Sequence, residues 1–384
     1  MKFFKSFLIQ YSIYFCIGLG VLLIVEVGAM IYVNNVYLAD DSRYSVVKVT
    51  KEPVATQKYK SVNIGTGVQQ ESVSYDGRYV ACLKGGAVSI TDLVSGDTTT
   101  VGGVSGMTAE CFQWLYDRDW LAIAEKSINS SISPYVKLYS YDIANKSITE
   151  IRNNNANQDL KIQLSSRTDS VTQIDMSTET GVTYVKVTNK SGTSKLWKIN
   201  SFVGVQRMGN TITGNIGKIV CLKTADDLLY EGSSNGRVYQ YSTGSSLKIN
   251  GTRSLKLLGI DSSDNVYLAA MTNETTDTVY YGNVSPGKWD TVSLGKFVNP
   301  ANIHVTFSGD IYLNDVVKSS ISKVSVGGQS QQTDSTPLKS SSKAGASSSA
   351  GQPGINTYKG SLLNVFDNGF ITIDNGYAVH NGFT

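Results

Sequence analysis

Short segments that alternate between apolar and polar residues run through most of the chain and predict an all-β fold. From about residue 44 onward these segments are rich in Tyr and β-branched residues, which suit a pleated, half-buried surface. Examples begin at Tyr79, Val136, Val182, Val238 and Val266. We find no long stretch there with the 3.6-residue apolar spacing of an amphipathic helix. The pattern therefore predicts strands and turns throughout residues 44–384.

Seven turn-forming pairs separate the predicted strands at nearly regular intervals. These pairs are Asp76-Gly77, Asp117-Arg118, Glu179-Thr180, Asp226-Asp227, Asp264-Asn265, Gly309-Asp310 and Asn368-Gly369. Successive pairs lie 38 to 62 residues apart, close to the repeat of about 40 to 50 residues that forms one blade of a β-propeller. The two longest intervals contain polar insertions. The spacing predicts a propeller of about seven blades, although a six-bladed ring also fits.

A 27-residue apolar segment, Phe7 to Val33, precedes the predicted strands. At about 1.5 Å per residue, a helix of this length exceeds the roughly 30 Å hydrocarbon core of a bilayer. Lys2 and Lys5 precede the segment and Asp40 and Asp41 follow it, so the positive-inside rule places the N-terminus in the cytoplasm. This predicts a cytoplasmic tail (1–6), a transmembrane helix (7–33), a juxtamembrane linker (34–43) and an extracytoplasmic propeller (44–384). Low Cys and Pro usage favours a bacterial cell membrane.

Glu26 lies within this apolar segment and is a candidate contact to another membrane protein. An ionisable group at membrane depth is costly and commonly pairs with a polar group. The simpler explanation is that Glu26 reaches the membrane interface or is protonated. A cleaved signal peptide is the alternative to the anchor, because Val27-Gly28-Ala29 offers small residues and cleavage there would leave Met30 as the first residue. The apolar segment is longer than the usual 7 to 15 residues of a signal peptide, which favours the anchor.

The two ends of the predicted propeller must meet, because an open ring would leave unpaired strand edges. Residues 361–381 contain three strand-like segments separated by Asn-Gly turns and are predicted to form the last blade. A strand near residues 44–49 is predicted to complete that blade. Residues 327–354, rich in Ser, Gly and Gln, are predicted to be a disordered insertion between blades. The alternative is a linker to a short C-terminal tail.

Two segments carry a resemblance to a known family. Ser74-Tyr-Asp-Gly-Arg-Tyr-Val-Ala81 and Trp114-Leu-Tyr-Asp-Arg-Asp-Trp-Leu-Ala122 resemble the W-S-P-D-G-K-x-L-A pattern of TolB-like and dipeptidyl-peptidase-type propeller repeats, which are WD40-like. The sequence departs from that pattern at Tyr75 and Tyr116, where the family has Pro, and at Asp119. The resemblance covers about residues 70–155 well. It implies a fold only, because the family's peptidases carry an added hydrolase domain that we do not expect here.

Candidate catalytic residues are few, and we assign none. His304 and His380 are the only histidines. Two histidines are too few for a His-rich metal site and make a His-based catalytic relay unexpected. Residues 232–236 match G-x-S-x-G, but strand-like residues on both sides predict a hairpin rather than the strand-to-helix turn that a nucleophilic Ser234 needs. The clusters Asp261-Ser-Ser-Asp264-Asn265 and Asp117-Arg-Asp119 lack the Gly and Glu of an EF-hand and are interpreted as polar turns. No cofactor or metal is predicted.

The cysteines and tryptophans favour packing roles over binding roles. Cys82, Cys111 and Cys221 are scattered and are interpreted as buried strand residues, although a Cys82–Cys111 bridge between neighbouring blades is an alternative. Four tryptophans fit the packing between blades better than a peptide- or carbohydrate-stacking surface: Trp114, Trp120, Trp197 and Trp289. The formal charge of +3 comes without a basic stripe, so a nucleic-acid partner is not expected.

Together these features favour a binding protein over an enzyme. We expect a membrane-anchored extracytoplasmic β-propeller that acts as a protein-interaction scaffold or as a subunit of a cell-envelope assembly. The alternative is a ligand-binding or enzymatic propeller that acts on an envelope glycan or peptide in its central channel. Several ionisable side chains in the channel would favour the alternative, whereas an apolar or plugged channel would favour the scaffold.

Overall fold

A computed structural model describes ten residues between 19 and 32, and residues 59–383 apart from 154–157, 210–213, 233–235, 250, 253, 286 and 325–354. The chain divides into two compact units, residues 1–57 and residues 58–384.

The described residues of the first unit are helical and exposed, and Glu26 is one of them. They are Leu19, Val21, Leu22, Leu23, Val25, Glu26, Val27, Ala29, Met30 and Tyr32. Within the described part of the chain, no helix is both long enough and apolar enough to cross a membrane. Most of the predicted helix, residues 7–33, lies outside the described residues.

Seven antiparallel sheets follow one another along the second unit and form the blades of a propeller. β1 (Val62–Asn63) belongs to the last blade. Blade 1 contains β2 (Gln70–Val73), β3 (Tyr79–Lys84), β4 (Ala87–Asp92) and β5 (Thr98–Val101). Blade 2 contains β6 (Met107–Trp114), β7 (Trp120–Ser127), β8 (Tyr135–Asp142) and β9 (Ser147–Glu150). A short hairpin, β10 (Arg152–Asn153) and β11 (Gln158–Asp159), follows, and β12 (Ile162–Gln163) then pairs with β8.

The remaining blades repeat the same order of four strands. Blade 3 contains β13 (Ser170–Ser177), β14 (Val182–Thr188), β15 (Ser194–Asn200) and β16 (Gly204–Arg207). Blade 4 contains β17 (Ile216–Cys221), β18 (Leu228–Gly232), β19 (Arg237–Gln240) and β20 (Ser245–Ser246). Blade 5 contains β21 (Leu255–Ile260), β22 (Asn265–Ala270), β23 (Thr276–Asn283) and β24 (Asp290–Val298). A 3₁₀ turn, Pro300–Asn302, leads into blade 6, which contains β25 (Ile303–Val305), β26 (Ile311–Asp315), β27 (Ser320–Val324) and β28 (Ile355–Thr357).

Blade 7 closes the ring by combining strands from both ends of the second unit. It contains β29 (Ser361–Phe366), β30 (Gly369–Asp374) and β31 (Tyr377–Gly382), and β1 pairs with the outer edge of β31. The predicted last blade is therefore confirmed. Residues 44–49, which we predicted to complete it, lie outside the described residues, and Val62 and Asn63 occupy that position through pairing with Ala378 and Tyr377.

All seven predicted turn pairs connect the first strand of a blade to its second strand. In blade 1, Ser74 Oγ donates to Asp76 Oδ1 at 2.6 Å, and the same oxygen accepts from Arg78 N at 3.0 Å. Gly77 has a φ of +78° within this turn, a conformation that favours glycine. The turn chemistry read from the sequence thus fixes the same corner of every blade, and the seven-bladed count is confirmed.

Seven separate hydrophobic clusters hold the propeller together, one at each junction between neighbouring blades. Phe112 and Leu121 of blade 2, for example, pack with Ala81 and Ile90 of blade 1. The junction that closes the ring packs Val73 against Phe366. Because every blade buries both faces, the core is distributed around the ring instead of lying at its centre.

Residues 325–354 connect two neighbouring strands of one sheet. β27 ends at Val324, β28 begins at Ile355, and Ser322 pairs with Ile355 in blade 6. Our prediction that this stretch joins two blades is therefore wrong, because both flanking strands belong to the same blade. The stretch itself lies outside the described residues.

Candidate functional site

The first strands of the seven blades line a central channel. Each contacts the first strand of the next blade, and β29 contacts β2 to complete the circle. We call the end where these strands begin the entry end, and the opposite end, which carries the seven first-to-second strand turns, the turn end. All seven first strands are described in full, so the walls of the channel can be followed residue by residue.

Five of these seven strands carry a β-bulge, and each bulge adds one residue to the channel wall. The extra residues are Glu110, Thr172, Lys218, Leu258 and Leu363. A bulge breaks the alternation of a strand and redirects a side chain, and such bulges are common beside functional sites. Every one of these five residues lines a cavity of the channel.

A cavity of about 700 Å³ opens at the entry end beside blades 4, 5 and 6. Its polar lining comes from Lys218, Lys256, His304 and several side-chain amides, and its apolar lining from residues such as Leu257 and Met271. The 3₁₀ turn at Pro300–Asn302 forms part of its wall and is capped by Asn299, whose side chain accepts from Ala301 N at 2.9 Å. The volume falls within the range of about 300 to 1,000 Å³ that is typical of ligand pockets.

Glu231 organises the cationic side of this cavity. Its buried carboxylate accepts from Lys218 N at 3.0 Å and from Leu257 N at 2.8 Å, so it ties together the first strands of blades 4 and 5. Lys256 Nζ lies 3.4 Å from the same carboxylate. Lys218 Nζ contacts the carbonyl oxygen of Leu258, and crowding by the channel walls lowers the pKa of Lys218. The buried carboxylate therefore pairs with the Lys256 ammonium and with the main chain at Lys218, while the Lys218 ammonium is held by a carbonyl oxygen.

Gly217 makes the approach of Glu231 to this bulge feasible. A Cβ at Gly217 would lie 2.8 Å from the Cβ of Glu231 and closer still to one of its carboxylate oxygens. Any larger residue would push Glu231 away from Lys218 N. The pair Gly217-Lys218 is thus matched to Glu231 on the neighbouring strand.

His304 lies on the same cavity wall and is held in the neutral form. Burial and the nearby Lys218 lower the pKa of His304 to about 4. Its Nε2 atom is buried and has no hydrogen-bond partner among the described residues. His380, the other histidine, stacks on Tyr59 at the ring-closing blade, with ring centroids 3.5 Å apart. The two histidines therefore do not act together.

A second cavity of about 300 Å³ lies towards the turn end and shares Val305 and Asn364 with the first. Aromatic side chains from four blades line it, including Tyr75, Tyr116 and Phe307. Tyr75 and Tyr116 stand where the TolB-like family has Pro, and both therefore contribute an aromatic ring to the wall of this cavity.

A buried polar network lies beside the second cavity and links blades 2, 3 and 4. Asp175 accepts from the Tyr116 hydroxyl at 2.6 Å and from Cys221 N at 2.8 Å. The Lys223 ammonium is buried over the Tyr116 ring, and burial lowers the pKa of Lys223 while it raises that of Tyr116. The network spans neighbouring blades through polar contacts, which indicates a bracing role.

The turn end is strongly acidic. Its seven connections carry ten carboxylates and three cations. The carboxylates are Asp76, Asp117, Asp119, Glu179, Asp226, Asp227, Asp261, Asp264, Asp310 and Asp367. Several of them cap turns or bridge blades: Asp264, for example, accepts from Thr224 N of the neighbouring blade at 2.9 Å. Burial and the nearby Asp76 raise the pKa of Asp119 to about 6, and its Oδ1 has no hydrogen-bond partner in the described part of the chain.

Several residues singled out from the sequence have packing or turn roles. Trp114 is buried and donates to Ser72 O at 3.2 Å, Trp197 and Trp289 pack against hydrophobic clusters, and Trp120 is partly exposed beside Arg118. The tryptophans lie in different blades and do not form one surface.

The remaining motifs also follow the structural interpretation. Residues 232–236 lie between paired strands, with Gly232 opposite Arg237, which confirms the hairpin interpretation; Ser234 itself is outside the described residues. Cys82, Cys111 and Cys221 are buried and free, so the alternative Cys82–Cys111 bridge is wrong. Asp261 accepts from Ser263 N and Asn265 N, as a polar turn requires.

The sequence did not single out Lys218, Glu231 or Lys256. An isolated lysine in an alternating segment has the pattern of a solvent-facing residue, and the three positions are far apart in the chain. The one available signal is Gly217-Lys218 inside a predicted strand, because glycine within a strand often marks a bulge.

No family model matches the chain, and no curated protein is significantly similar to it. Solved structures align with it at low identity. A chain of the mitotic checkpoint complex aligns with a TM-score of 0.45 and 14% identity over 72% of this chain and 82% of its own length. A prolyl endopeptidase aligns with a TM-score of 0.46 and 14% identity over 67% of this chain, and dipeptidyl peptidase 4 of Porphyromonas gingivalis with 0.36 and 14% over 67%.

The chain spans 40% of that prolyl endopeptidase and 43% of that dipeptidyl peptidase. The predicted resemblance to WD40-like and dipeptidyl-peptidase-type propellers is confirmed at the level of the fold.

Proposed function

We propose that this chain is a membrane-anchored, extracytoplasmic binding propeller that recruits a protein partner of the cell envelope. In this proposal residues 7–33 span the membrane, Glu26 contacts a second membrane protein, and the channel of the propeller receives part of the partner. The chain acts as a scaffold or assembly subunit and carries out no reaction of its own.

The observation that carries this proposal is the cavity of about 700 Å³ at the entry end of a rigid ring. Lys218, Lys256 and His304 line it. Ionisable side chains in the channel are the arrangement expected of the ligand-binding alternative, so the proposed scaffold binds part of its partner inside the channel and not on the outer loops alone. Glu231 is bound to main-chain N–H groups, and Lys218 contacts a main-chain carbonyl oxygen. Groups held in this way provide a fixed, charged surface, which supports binding over proton transfer.

Affinity purification from native membranes tests the proposal. The tagged full chain is extracted in mild detergent, and the recovered proteins are identified by mass spectrometry for the wild type and for Glu26→Leu. A stoichiometric partner that is reduced at least tenfold by Glu26→Leu is the expected result. Recovery of the chain alone from membranes, or its appearance only in the soluble fraction, would contradict an anchored assembly subunit.

A ligand-binding or enzymatic propeller that acts on an envelope glycan or peptide is the second candidate. The polar cavity and the aromatic walls of the smaller cavity favour it over an interaction confined to the outer loops. Release of modified products from purified envelope glycan or peptide fragments would support the enzymatic form, and unchanged fragments with saturable binding would support the non-enzymatic form.

A further inference from the structure

The cavity at the entry end carries an excess of positive charge. The Lys186 ammonium donates to Gly217 O at 2.8 Å next to the cavity, and Lys218 and Lys256 line it. Glu231 is the buried carboxylate among them, and Glu274 lies exposed among the lining residues. Burial lowers the pKa of Lys186, and crowding by the channel walls lowers that of the solvent-accessible Lys218, so the surrounding protein disfavours both charges. A bound anion would offset that cost.

The same cavity also has an apolar lining. Leu257, Leu258, Met271, Pro300 and Ile303 lie beside the lysines. If a ligand places an anionic group on the lysines, an adjacent apolar side chain of the same ligand would pack against these residues. Adjacent charged and apolar parts of this kind match an apolar residue that ends in a carboxylate.

The remaining lining favours a peptide over a sugar acid. Asn273, Asn299 and Asn364 supply amide groups that can pair with a peptide main chain. Apart from the His304 imidazole, the described residues that line this cavity include no aromatic ring. A sugar would therefore lack the flat aromatic face on which its ring commonly packs.

We propose that the entry-end cavity binds the C-terminal carboxylate of a peptide whose last residue is apolar. Lys218 and Lys256 hold the carboxylate, the leucines and Met271 receive the last side chain, and the asparagines bind the preceding amide. This inference deepens the proposed function, since it names the part of the partner that enters the channel.

Binding of a defined peptide to the full chain in detergent tests the inference. The probe is fluorescein-labelled Ala-Ala-Leu-Leu with a free carboxylate, compared with the same peptide ending in an amide. The acid is expected to bind at least tenfold more tightly. Lys218→Met and Lys256→Met should each weaken binding at least tenfold, whereas Lys190→Met, at an exposed lysine away from the cavity, should leave it unchanged.

Lys256 is half exposed, so Lys256→Met keeps the test interpretable even if Lys218→Met impairs folding. Equal affinity for acid and amide, or full affinity in Lys256→Met, would overturn the inference. Glucuronate serves as the sugar-acid probe, and lysine-dependent binding of glucuronate without peptide binding would also overturn it. The membrane pull-down tests the proposed function separately from the peptide experiment. A failure of peptide binding would overturn this inference only, because the loss of a partner in Glu26→Leu would still support the assembly subunit.

Discussion

Gln173 pairs with both main-chain polar groups of Ile219 on the next blade. Its side-chain amide donates to Ile219 O at 2.8 Å and accepts from Ile219 N at 3.1 Å. Gln70 does the same for Phe112, at 2.7 Å and 3.1 Å. First strands of neighbouring blades do not share a ladder of hydrogen bonds, so a glutamine side chain supplies the missing partners. Two separate junctions of the ring use this arrangement.

Replacing Gln173 by Leu should destabilise the propeller by about 2 to 4 kcal/mol. The substitution removes two hydrogen bonds and leaves the N–H and C=O of Ile219 without these partners, which is costlier than losing an exposed contact. Urea unfolding followed by circular dichroism measures the loss. Gln206→Leu, at an exposed glutamine of β16, is the matched control and should change stability by less than about 0.5 kcal/mol. Equal effects of the two substitutions would show that the paired amide contributes nothing.

His304 and Asp119 should have opposite effects on stability between pH 4.5 and 6.5. The folded-state pKa of His304 is lowered to about 4 from 6.5, so the unfolded chain takes up the proton first and the His304 contribution is lost as pH falls. This amounts to about 2 kcal/mol over the window. The folded-state pKa of Asp119 is raised to about 6 from 3.8, so its contribution is present at low pH and lost as pH rises.

The measurement is the free energy of unfolding at pH 4.5 and 6.5 in wild type, His304→Gln and Asp119→Asn. Relative to wild type, His304→Gln should lose stability as pH rises, and Asp119→Asn should gain it. A pair of variants that both follow the wild-type pH profile would contradict the buried environments of these two groups.

The ring should depend on the short strand that closes it. Val62 and Ile64 pack against the cluster that includes Val73 and Phe366, and Tyr59 stacks on His380. A chain that begins at residue 68 loses these contacts and should be less stable by about 3 to 5 kcal/mol. A chain that begins at residue 58 keeps them and should unfold at the same urea concentration as the full chain. Thermal and urea unfolding compare the two.

The three propeller thiols should be unreactive while the protein is folded. Burial raises the pKa of Cys82 to about 11 and that of Cys111 to about 12, and it raises the pKa of Cys221 as well. In the full chain with Cys16→Ser, reaction with a thiol reagent at pH 8 should be on the order of 100-fold slower than in 8 M urea. Rapid labelling of any of the three without denaturant would place that cysteine at an accessible position.

Sequence reasoning could predict the blades because turn chemistry is local. Each turn needs a small or acidic residue at a fixed place, so Asp76-Gly77 and its six counterparts mark the same corner of every blade. The last blade followed from the same signals. The number of blades then followed from the number of these turns and from the intervals between them along the chain.

The position of the closing strand and the lining of the channel could not be predicted, because both depend on residues that the ring brings together. β1 has only two residues, too few to show a strand period. The bulge at Lys218 adds one residue to β17, a change that alternation alone does not reveal. Glu231 reaches Lys218 N across two strands of one sheet, and Leu257 N across a blade junction. Such contacts are set by the circular arrangement and not by neighbours in sequence.

The pairing of β1 with β31 also determines how the propeller would respond to mechanical load. The two strands are antiparallel, and Val62 lies opposite Ala378 while Asn63 lies opposite Tyr377. Tension between the segment before β1 and the end of β31 would therefore peel this pair open one residue at a time, instead of shearing all its bonds together. A pull transmitted through the N-terminal segment would open blade 7 first and leave the other six sheets intact.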